Sequence, residues 1–265
     1  MEIINAHAHI YPEKIAEKAT GAIGDFYNIK MSKIGTPEEL LKAGAKAGIS
    51  RYIVHSCATK VHQVRSINEF IKGEIDAHPE FIGFMTLHQD MSEEDIKAEI
   101  DWCVKNGFKG IKLHPDFQKF YIDDENSEKI YRSVAALGFD FPILFHTGDN
   151  RYEYSKPMRL ANMAKKFPTV KFIGAHFGGY RCWDELDCYK GLDNVYFDTS
   201  SSLAFIGSER AKELIDELGY EKFFFGDDFP MWNASEELER FYSIKLTEKE
   251  REAILSGNVK KLLKL

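Results

Sequence analysis

Two histidines separated by a single residue, His7 and His9, are the first side chains whose types and spacing suggest chemistry. They follow a short apolar segment of the kind that forms a β-strand. Side chains of a strand alternate between its faces, so residues i and i+2 project to the same side, about 6–7 Å apart at Cα. Two imidazoles placed in this way can bind one metal ion, although a His-x-His motif without further ligands is a weak signal.

Further ligand-type residues follow other short apolar segments of the chain. They are Lys112, His114, His146, His176 and Asp228. If those segments are parallel strands of a barrel, their carboxyl ends converge on one face, which is where the active sites of such barrels lie. The combined pattern therefore predicts a metal site at that face. His55 also ends an apolar segment, and for it we expect a packed or capping role.

Eight such segments recur along the chain, and stretches of helical period separate them. The segments are residues 2–5, 51–55, 81–87, 110–114, 142–146, 170–175, 195–198 and 223–226. Most are apolar nearly throughout, as parallel strands covered on both sides are. Alternating strands and helices predict an α/β fold, either a closed barrel or an open doubly wound sheet. The count of eight and the lack of a Gly-x-Gly-x-x-Gly loop favour a (β/α)8 TIM barrel, formed as a single domain by residues 1–265.

Capping signals define several of the intervening helices. Thr36 precedes a proline and two glutamates, which predicts a helix from there to about Gly48. Ser92 opens the helix before the fourth strand, and Thr247 with Glu250 forms a capping box near the end. Other helices are predicted over residues 126–137, 156–167 and 208–218.

The stretch between Tyr11 and Gly35 is unusually long for a loop that follows a strand. Long loops in compact domains are commonly functional. We expect this one to fold over the barrel mouth, with Tyr11 and Phe26 roofing the pocket.

Composition excludes several other classes of protein. The 265 residues carry a net charge of −7 without any basic stripe, so we expect no nucleic-acid partner. No apolar run approaches the roughly 20 residues that span a bilayer, and no signal peptide is recognisable. The four cysteines form no Cys-x-x-Cys pair. A cytoplasmic protein with free thiols and no membrane association is the expectation.

Six short motifs, spread from the first strand to the last helix, resemble those of the amidohydrolase superfamily. Within it they are most similar to the amidohydrolase-2 group, which includes the aminocarboxymuconate-semialdehyde decarboxylase-like enzymes. The motifs are residues 5–9 (Asn-Ala-His-Ala-His), 110–115 (Gly-Ile-Lys-Leu-His-Pro), 145–148 (Phe-His-Thr-Gly), 174–179 (Gly-Ala-His-Phe-Gly-Gly), 225–230 (Phe-Gly-Asp-Asp-Phe-Pro) and 254–258 (Ile-Leu-Ser-Gly-Asn). Each is short, but their order and spacing together are specific.

The resemblance implies a distorted barrel with a divalent ion, which we expect to be Zn²⁺. It implies that His7, His9, His146 and Asp228 bind this ion, and that His176 and Asp228 carry the acid/base chemistry. The sequence departs from the group's pattern at two positions. Asp227 stands where the group usually has serine, and Asn5 stands where the family often has aspartate.

The number of ions remains open at this point. In binuclear members of the wider superfamily a carboxylated lysine on the fourth strand bridges two ions, and Lys112 is placed to do so. The aminocarboxymuconate-like branch uses one ion and no such lysine. We favour one ion, with Lys112 and His114 binding a substrate carboxylate or phosphate. Arg151 and Trp232, in loops after the fifth and eighth strands, are further candidates for binding substrate.

Three functions remain as alternatives. The first is a metal-dependent hydrolase, in which a metal-activated water cleaves an amide, lactone or ester of a small molecule. The second is a non-oxidative decarboxylase of a carboxylated aromatic or muconate-type substrate on the same site. The third is a metal-binding or sensing barrel without turnover, against which the presence of both His176 and Asp228 argues. The resemblance also implies that a homodimer is possible.

Overall fold

Eight parallel β-strands succeed one another around the protein, whose computed structural model describes residues 1–265. They pair in sequence order, each with the next. The strands are β1 (Ile4–His9), β2 (Arg51–His55), β3 (Phe81–Thr86), β4 (Gly110–Leu113), β5 (Ile143–Phe145), β6 (Phe172–Gly174), β7 (Val195–Asp198) and β8 (Phe223–Phe224).

The last strand returns to the first through backbone hydrogen bonds beyond its own two residues. Ala6 N donates to Phe225 O at 2.8 Å, and His9 N donates to Phe229 O at 2.7 Å. Ala8 and Phe229 form an isolated parallel bridge. The barrel is therefore nearly closed, and the predicted α/β class and (β/α)8 architecture are confirmed.

Eleven α-helices accompany the strands, and the capping signals in the sequence locate several of them. They are α1 (Glu13–Tyr27), α2 (Pro37–Ala47), α3 (Val64–Ala77), α4 (Glu93–Lys105), α5 (Pro115–Gln118), α6 (Glu128–Ala135), α7 (Pro157–Lys166), α8 (Leu203–Leu218), α9 (Ala234–Tyr242), α10 (Glu248–Glu252) and α11 (Asn258–Leu263). The Thr36 side chain accepts from Glu39 N at 3.2 Å, and Ser92 accepts from Asp95 N at 3.0 Å. No helix combines the length and apolarity that crossing a membrane requires.

One predicted loop is largely a helix. The stretch from Tyr11 to Gly35 contains α1, which spans 15 residues. Its N-cap is Pro12, whose side chain makes no capping hydrogen bond, so the usual start signal is missing. Asn28, in the left-handed conformation, ends the helix. The expectation that this segment covers the barrel mouth is correct, since Tyr27 reaches the histidines there.

Several other element bounds differ from the sequence prediction, and β1 and α8 are two examples. Strand β1 begins later than predicted but includes both His7 and His9. Helix α8 begins five residues before the predicted position 208, and it is interrupted at Gly207, which has φ 70° and ψ 175°. The glycine allows this break because it has no Cβ to clash at positive φ.

Two apolar clusters hold the strands in place. The larger has 54 buried residues and joins one face of the strands to the helices, as with Ile111 of β4 and Ile100 of α4. The smaller has 12 buried residues from the other face, including Ile53 and Leu144, with Leu262 of α11 packed among them. Burial on both faces explains why the strands read as continuous apolar runs.

Candidate metal centre

A small cavity beneath α1 collects most of the side chains singled out in the sequence. Its lining consists of His7, His9, Ile23, Tyr27, Met31, Lys112, His114, Phe117, His146, His176, Asp228, Pro230 and Met231. Seven of the nine predicted site residues are among them. The other two, Arg151 and Trp232, lie outside the lining. The strand ends therefore converge as the barrel prediction requires.

Three donor atoms lie close together at the floor of this cavity. His7 Nε2 is 3.2 Å from His9 Nε2, and Asp228 Oδ1 is 3.3 Å and 3.5 Å from these two nitrogens. Donors that share a tetrahedral ion at about 2.0–2.1 Å are separated by about 3.3 Å. The residues present thus fit a divalent metal ion in both donor type and spacing.

Asp198, the last residue of β7, fixes the orientation of His7. Its Oδ2 lies 2.8 Å from His7 Nδ1. A carboxylate only accepts, so Nδ1 carries the proton and the lone pair of Nε2 faces His9, Asp228 and Lys112. Carboxylates commonly hold metal-binding histidines in this way. Asp198 was not among the residues predicted for the site, although an acid at the carboxyl end of a predicted strand was a usable signal.

The same carboxylate also supports His176. His176 N donates to Asp198 Oδ1 at 3.0 Å, and His176 Nδ1 lies 3.2 Å from the carbonyl oxygen of Ser200. Because that carbonyl accepts the Nδ1 proton, Nε2 faces the cavity, 3.0 Å from His146 Nδ1. His176 has a φ of 61°, a strained value of the kind that clusters at functional sites.

His146 lines the cavity, but its nearest polar neighbours are not the three clustered donors. Besides His176, its ring approaches Asp116, with His146 Nε2 3.4 Å from Asp116 Oδ2. Asp116 also accepts from Ser155 Oγ at 2.6 Å. The role of His146 as a third histidine ligand therefore stays a prediction.

His55 lies nearer to the donor cluster than the sequence suggested. Its ring packs edge-on against His9 and His7, with centroid distances of 4.4 and 4.9 Å. One donor atom from each of the three imidazoles falls within 4.8 Å of the others. Both ring nitrogens of His55 are buried without a hydrogen-bond partner, so it caps nothing and could serve as a further ligand.

Asp228 is positioned by the loop after β8 and by the loop after β7. Like His176 it has a positive φ, 58°. Ser201 Oγ donates to Asp228 Oδ2, and Trp232 Nε1 donates to Ser201 Oγ at 2.8 Å. Trp232 was predicted to bind substrate. It is instead connected, through Ser201, to Asp228, which is expected to be a metal ligand.

Asp227 and Asn5, the two departures from the family pattern, pair with each other. Asn5 Nδ2 donates to Asp227 Oδ1 at 2.6 Å, and Asp227 N donates to Asn5 Oδ1 at 3.2 Å. Burial raises the pKa of Asp227 to about 7. The pair joins β1 to the loop after β8, so each departure accommodates the other.

Lys112, His114 and Tyr27 form the opposite wall and the roof. Lys112 is fully buried, with its Nζ 3.0 Å from His7 Nε2. The Tyr27 hydroxyl lies 3.0 Å from His114 Nε2 and 3.4 Å from both ring nitrogens of His146.

Arg151 is occupied by contacts within the protein. Its guanidinium donates to both carboxylate oxygens of Asp149 at 3.0 and 2.8 Å, and its Nη1 donates to Phe26 O at 2.6 Å. It also lies over the ring of Phe26 at 4.7 Å. In this arrangement it anchors the end of α1 to the loop after β5.

Burial favours the neutral form of three imidazoles of the centre, those of His9, His146 and His176. It lowers the pKa of His9 and of His176 to about 4, and it holds the pKa of His146 well below the ordinary value. Burial opposes ionisation of Asp228, but His7, His9 and His176 outweigh it and hold its pKa well below its usual range. Neutral imidazoles and an ionised carboxylate are the states that bind metal ions.

Comparisons with known proteins agree with the fold and the family. The chain is 24% identical over 253 residues to gamma-resorcylate decarboxylase of Polaromonas sp. strain JS666, with 76% of each chain covered. An uncharacterized TIM-barrel protein from Bordetella bronchiseptica matches with a TM-score of 0.82 and 16% identity, over 100% of this chain and 99% of that one. Dihydroxybenzoic acid decarboxylase from Polaromonas sp. JS666, solved with manganese and the inhibitor 2-nitroresorcinol, matches with a TM-score of 0.77 and 19% identity, over 100% and 97%.

The family model described as amidohydrolase matches residues 4–265, which include every strand and helix of the barrel. The chain therefore belongs to the amidohydrolase family.

Proposed function

We propose that this protein is a metal-dependent, non-oxidative decarboxylase of a carboxylated aromatic acid. The observation that carries the proposal is the set of three donors, His7, His9 and Asp228, next to the free Nε2 of His176. The choice of reaction is supported by two similar proteins that are named as decarboxylases, the gamma-resorcylate and the dihydroxybenzoic acid enzymes of Polaromonas sp.. Hydrolysis, expected first from the sequence, becomes the alternative.

His7, His9 and Asp228 would hold a single divalent ion, with His146 or His55 completing the set. Such an ion supplies Lewis-acid polarisation of a bound oxygen atom and neutralises negative charge. Zn²⁺ remains the prediction from the nitrogen-rich donor set. Mn²⁺ is the second candidate, because the dihydroxybenzoic acid decarboxylase of Polaromonas sp. was solved with manganese.

The side chains around the donors have separate tasks. Lys112, the one basic side chain of Lys or Arg type in the cavity lining, binds the substrate carboxylate. His114 orients that carboxylate. His176 Nε2, which carries no proton in the resting site, takes one up when the carboxylate substrate binds and delivers it to the ring carbon that bears the carboxylate. The bond from that carbon to the carboxylate then breaks, its electron pair restores the aromatic ring, and CO2 leaves. The substrate acid thus gains one proton and loses CO2, without any oxidant.

Product analysis over a substrate panel tests this proposal. The panel contains carboxylated aromatics, such as hydroxybenzoates, together with lactones, amides and esters, each assayed with protein loaded with Mn²⁺ or Zn²⁺. We expect CO2 and the decarboxylated arene from at least one aromatic acid. Hydrolysis of a lactone, amide or ester without any CO2 release would overturn the proposal in favour of the hydrolase.

The variant His176→Asn separates catalysis from metal binding. Turnover should fall at least a hundredfold, because proton transfer by a positioned side chain contributes about 10²–10⁴-fold. The metal content should stay at the wild-type level. His62→Asn, at an exposed histidine, is the matched control and should keep full activity. Near-normal turnover of His176→Asn with metal bound would contradict the proton-transfer role.

A further inference from the structure

The cavity that holds the proposed metal ligands is too small for an aromatic ring. Its volume is about 20 Å³, which suits roughly one water molecule. By comparison, an apolar cavity that binds benzene has a volume of about 150 Å³. Most of an aromatic substrate must therefore lie beside this cavity rather than in it.

A second cavity adjoins it on the other side of Ile23 and Phe117, and we refer to it as the α1 chamber. It is lined by His9, Tyr11, Ala19, Ala22, Ile23, Phe26, Cys57, Thr59, Asp116, Phe117 and Lys119. Its volume of about 380 Å³ falls within the usual range of small-molecule sites. His9, Ile23 and Phe117 line both cavities, so a molecule in the chamber reaches a proposed metal ligand directly.

The walls of the α1 chamber favour an apolar, ring-shaped occupant. Phe26 and Phe117 meet edge to face with centroids 4.7 Å apart, and Ile23 lies beside them. Such a corner accepts the face or edge of another aromatic ring. The small side chain of Ala19 leaves space along α1, and Ala22 is exposed, so the chamber opens to solvent there.

We propose that the α1 chamber binds the ring edge opposite to the carboxylate, and that Ala19 and Phe26 set the size of the substituents it accepts. The inference rests on the proposed function and adds a substrate class. The class is single-ring aromatic acids that carry an apolar substituent para to the carboxylate. The carboxylate lies at Lys112, and the substituent points along α1 towards Ala22.

Two substitutions with opposite effects on the chamber test the size limit. Ala19→Phe fills it, whereas Phe26→Ala enlarges it. The quantity measured is the ratio of kcat/KM for a para-tert-butyl substrate to that for the same acid without the substituent. We expect Ala19→Phe to lower this ratio at least tenfold and Phe26→Ala to raise it severalfold. Glu17→Phe, on the side of α1 that lines a separate surface groove, should leave the ratio unchanged. A ratio that neither chamber variant alters would overturn the inference.

A binding experiment keeps the inference testable independently of turnover. Cys57 lines the chamber, and burial raises the pKa of its thiol to about 11, so alkylation by iodoacetamide is followed by mass spectrometry at pH 9. We expect para-tert-butylbenzoate to slow alkylation of Cys57 at least threefold, while partly exposed Cys188 reacts at an unchanged rate. Protection of Cys57 without decarboxylation of any acid would support the chamber and refute the proposed function. An unchanged Cys57 rate would refute the chamber even if the protein decarboxylates.

Discussion

At the scale of single residues, Asp198 connects the two histidines on which the proposed chemistry depends. Its Oδ2 approaches His7 Nδ1 at 2.8 Å, and its Oδ1 accepts from His176 N at 3.0 Å. Burial opposes ionisation of Asp198, but His7 outweighs it and lowers the pKa of this carboxyl far below its usual range. One ionised carboxylate therefore orients both a proposed ligand and the proposed proton donor.

Replacing this carboxylate by an amide should weaken metal binding. In Asp198→Asn the side chain can donate to His7 Nδ1, which favours the tautomer with the proton on Nε2, where the metal would bind. We expect the metal dissociation constant to rise about 10–100-fold, as for other partners of metal-binding histidines. Chelator competition measures this constant. Asp193→Asn, at a fully exposed aspartate before β7, should change nothing. Equal metal affinity in Asp198→Asn and wild type would show that Asp198 does not act through His7.

Glu237 predicts a specific dependence of stability on pH. Burial raises its pKa from the ordinary 4.5 to about 7, so the folded state binds the proton more tightly than the unfolded state. Its contribution to the free energy of unfolding therefore falls as the pH rises from about 4.5 to about 7, and then stays constant. Glu237→Gln removes this titration, so its Tm relative to wild type should be higher at pH 8 than at pH 4.

The matched control for that measurement is Glu239→Gln, at an exposed glutamate of the same helix. Its Tm difference from wild type should be the same at both pH values. A Glu237→Gln difference that is equally independent of pH would contradict the raised pKa.

Residue types and spacing predicted much of the candidate site. His7, His9 and Asp228 lie together because each stands at a strand end, a feature that the sequence pattern shows. His55 and Asp198 also end predicted strands, but none of the recognised motifs contains them, so they were not assigned to the site. Arg151 was expected to bind substrate, yet it pairs with Asp149, a contact that depends on loop geometry.

At the scale of elements, α1 determines how the site is covered. Tyr27 at its last turn contacts His114, and Arg151 anchors its carboxyl end through Phe26 O. The sequence predicted α2, α4 and α10 through their capping residues Thr36, Ser92 and Thr247, which act locally. It did not predict α1, because Pro12 supplies no capping group and packing over the barrel mouth stabilises the helix instead.

Loss of the Arg151 anchor should loosen the end of α1. In Arg151→Ala the hydrogen bond to Phe26 O and the contact with the Phe26 ring disappear. We expect amide hydrogen exchange in the last turn of α1 to become at least fivefold faster, because local opening requires fewer contacts to break. Hydrogen exchange with mass spectrometry measures this rate.

Arg159→Ala is the control for this element. Arg159 also forms an ion pair and lies over an aromatic ring, but its partners are Asp123 and Tyr121. Exchange in α1 should stay at the wild-type rate in that variant. Equal exchange in Arg151→Ala and Arg159→Ala would show that Arg151 does not anchor α1.

At the scale of the whole molecule, the barrel brings residues separated by more than 200 positions into contact, as with His7 and Asp228. Eight alternating strands and helices predicted this architecture from the sequence, because parallel strands buried on both faces leave a recognisable apolar rhythm. The reaction was less predictable. Hydrolysis and decarboxylation use the same ligands, and what separates them is the shape of the space beside the metal.

The central claim is that one divalent ion per chain supports decarboxylation at this site. The most direct test removes metal with a chelator and titrates the protein with Mn²⁺ while CO2 release from the preferred aromatic acid is measured. We predict no release before metal is added, a linear rise, and saturation at one ion per chain. Saturation at two ions would indicate a binuclear centre with a carboxylated Lys112. Absence of CO2 release at every metal concentration, or full release from the chelated protein, would contradict the claim.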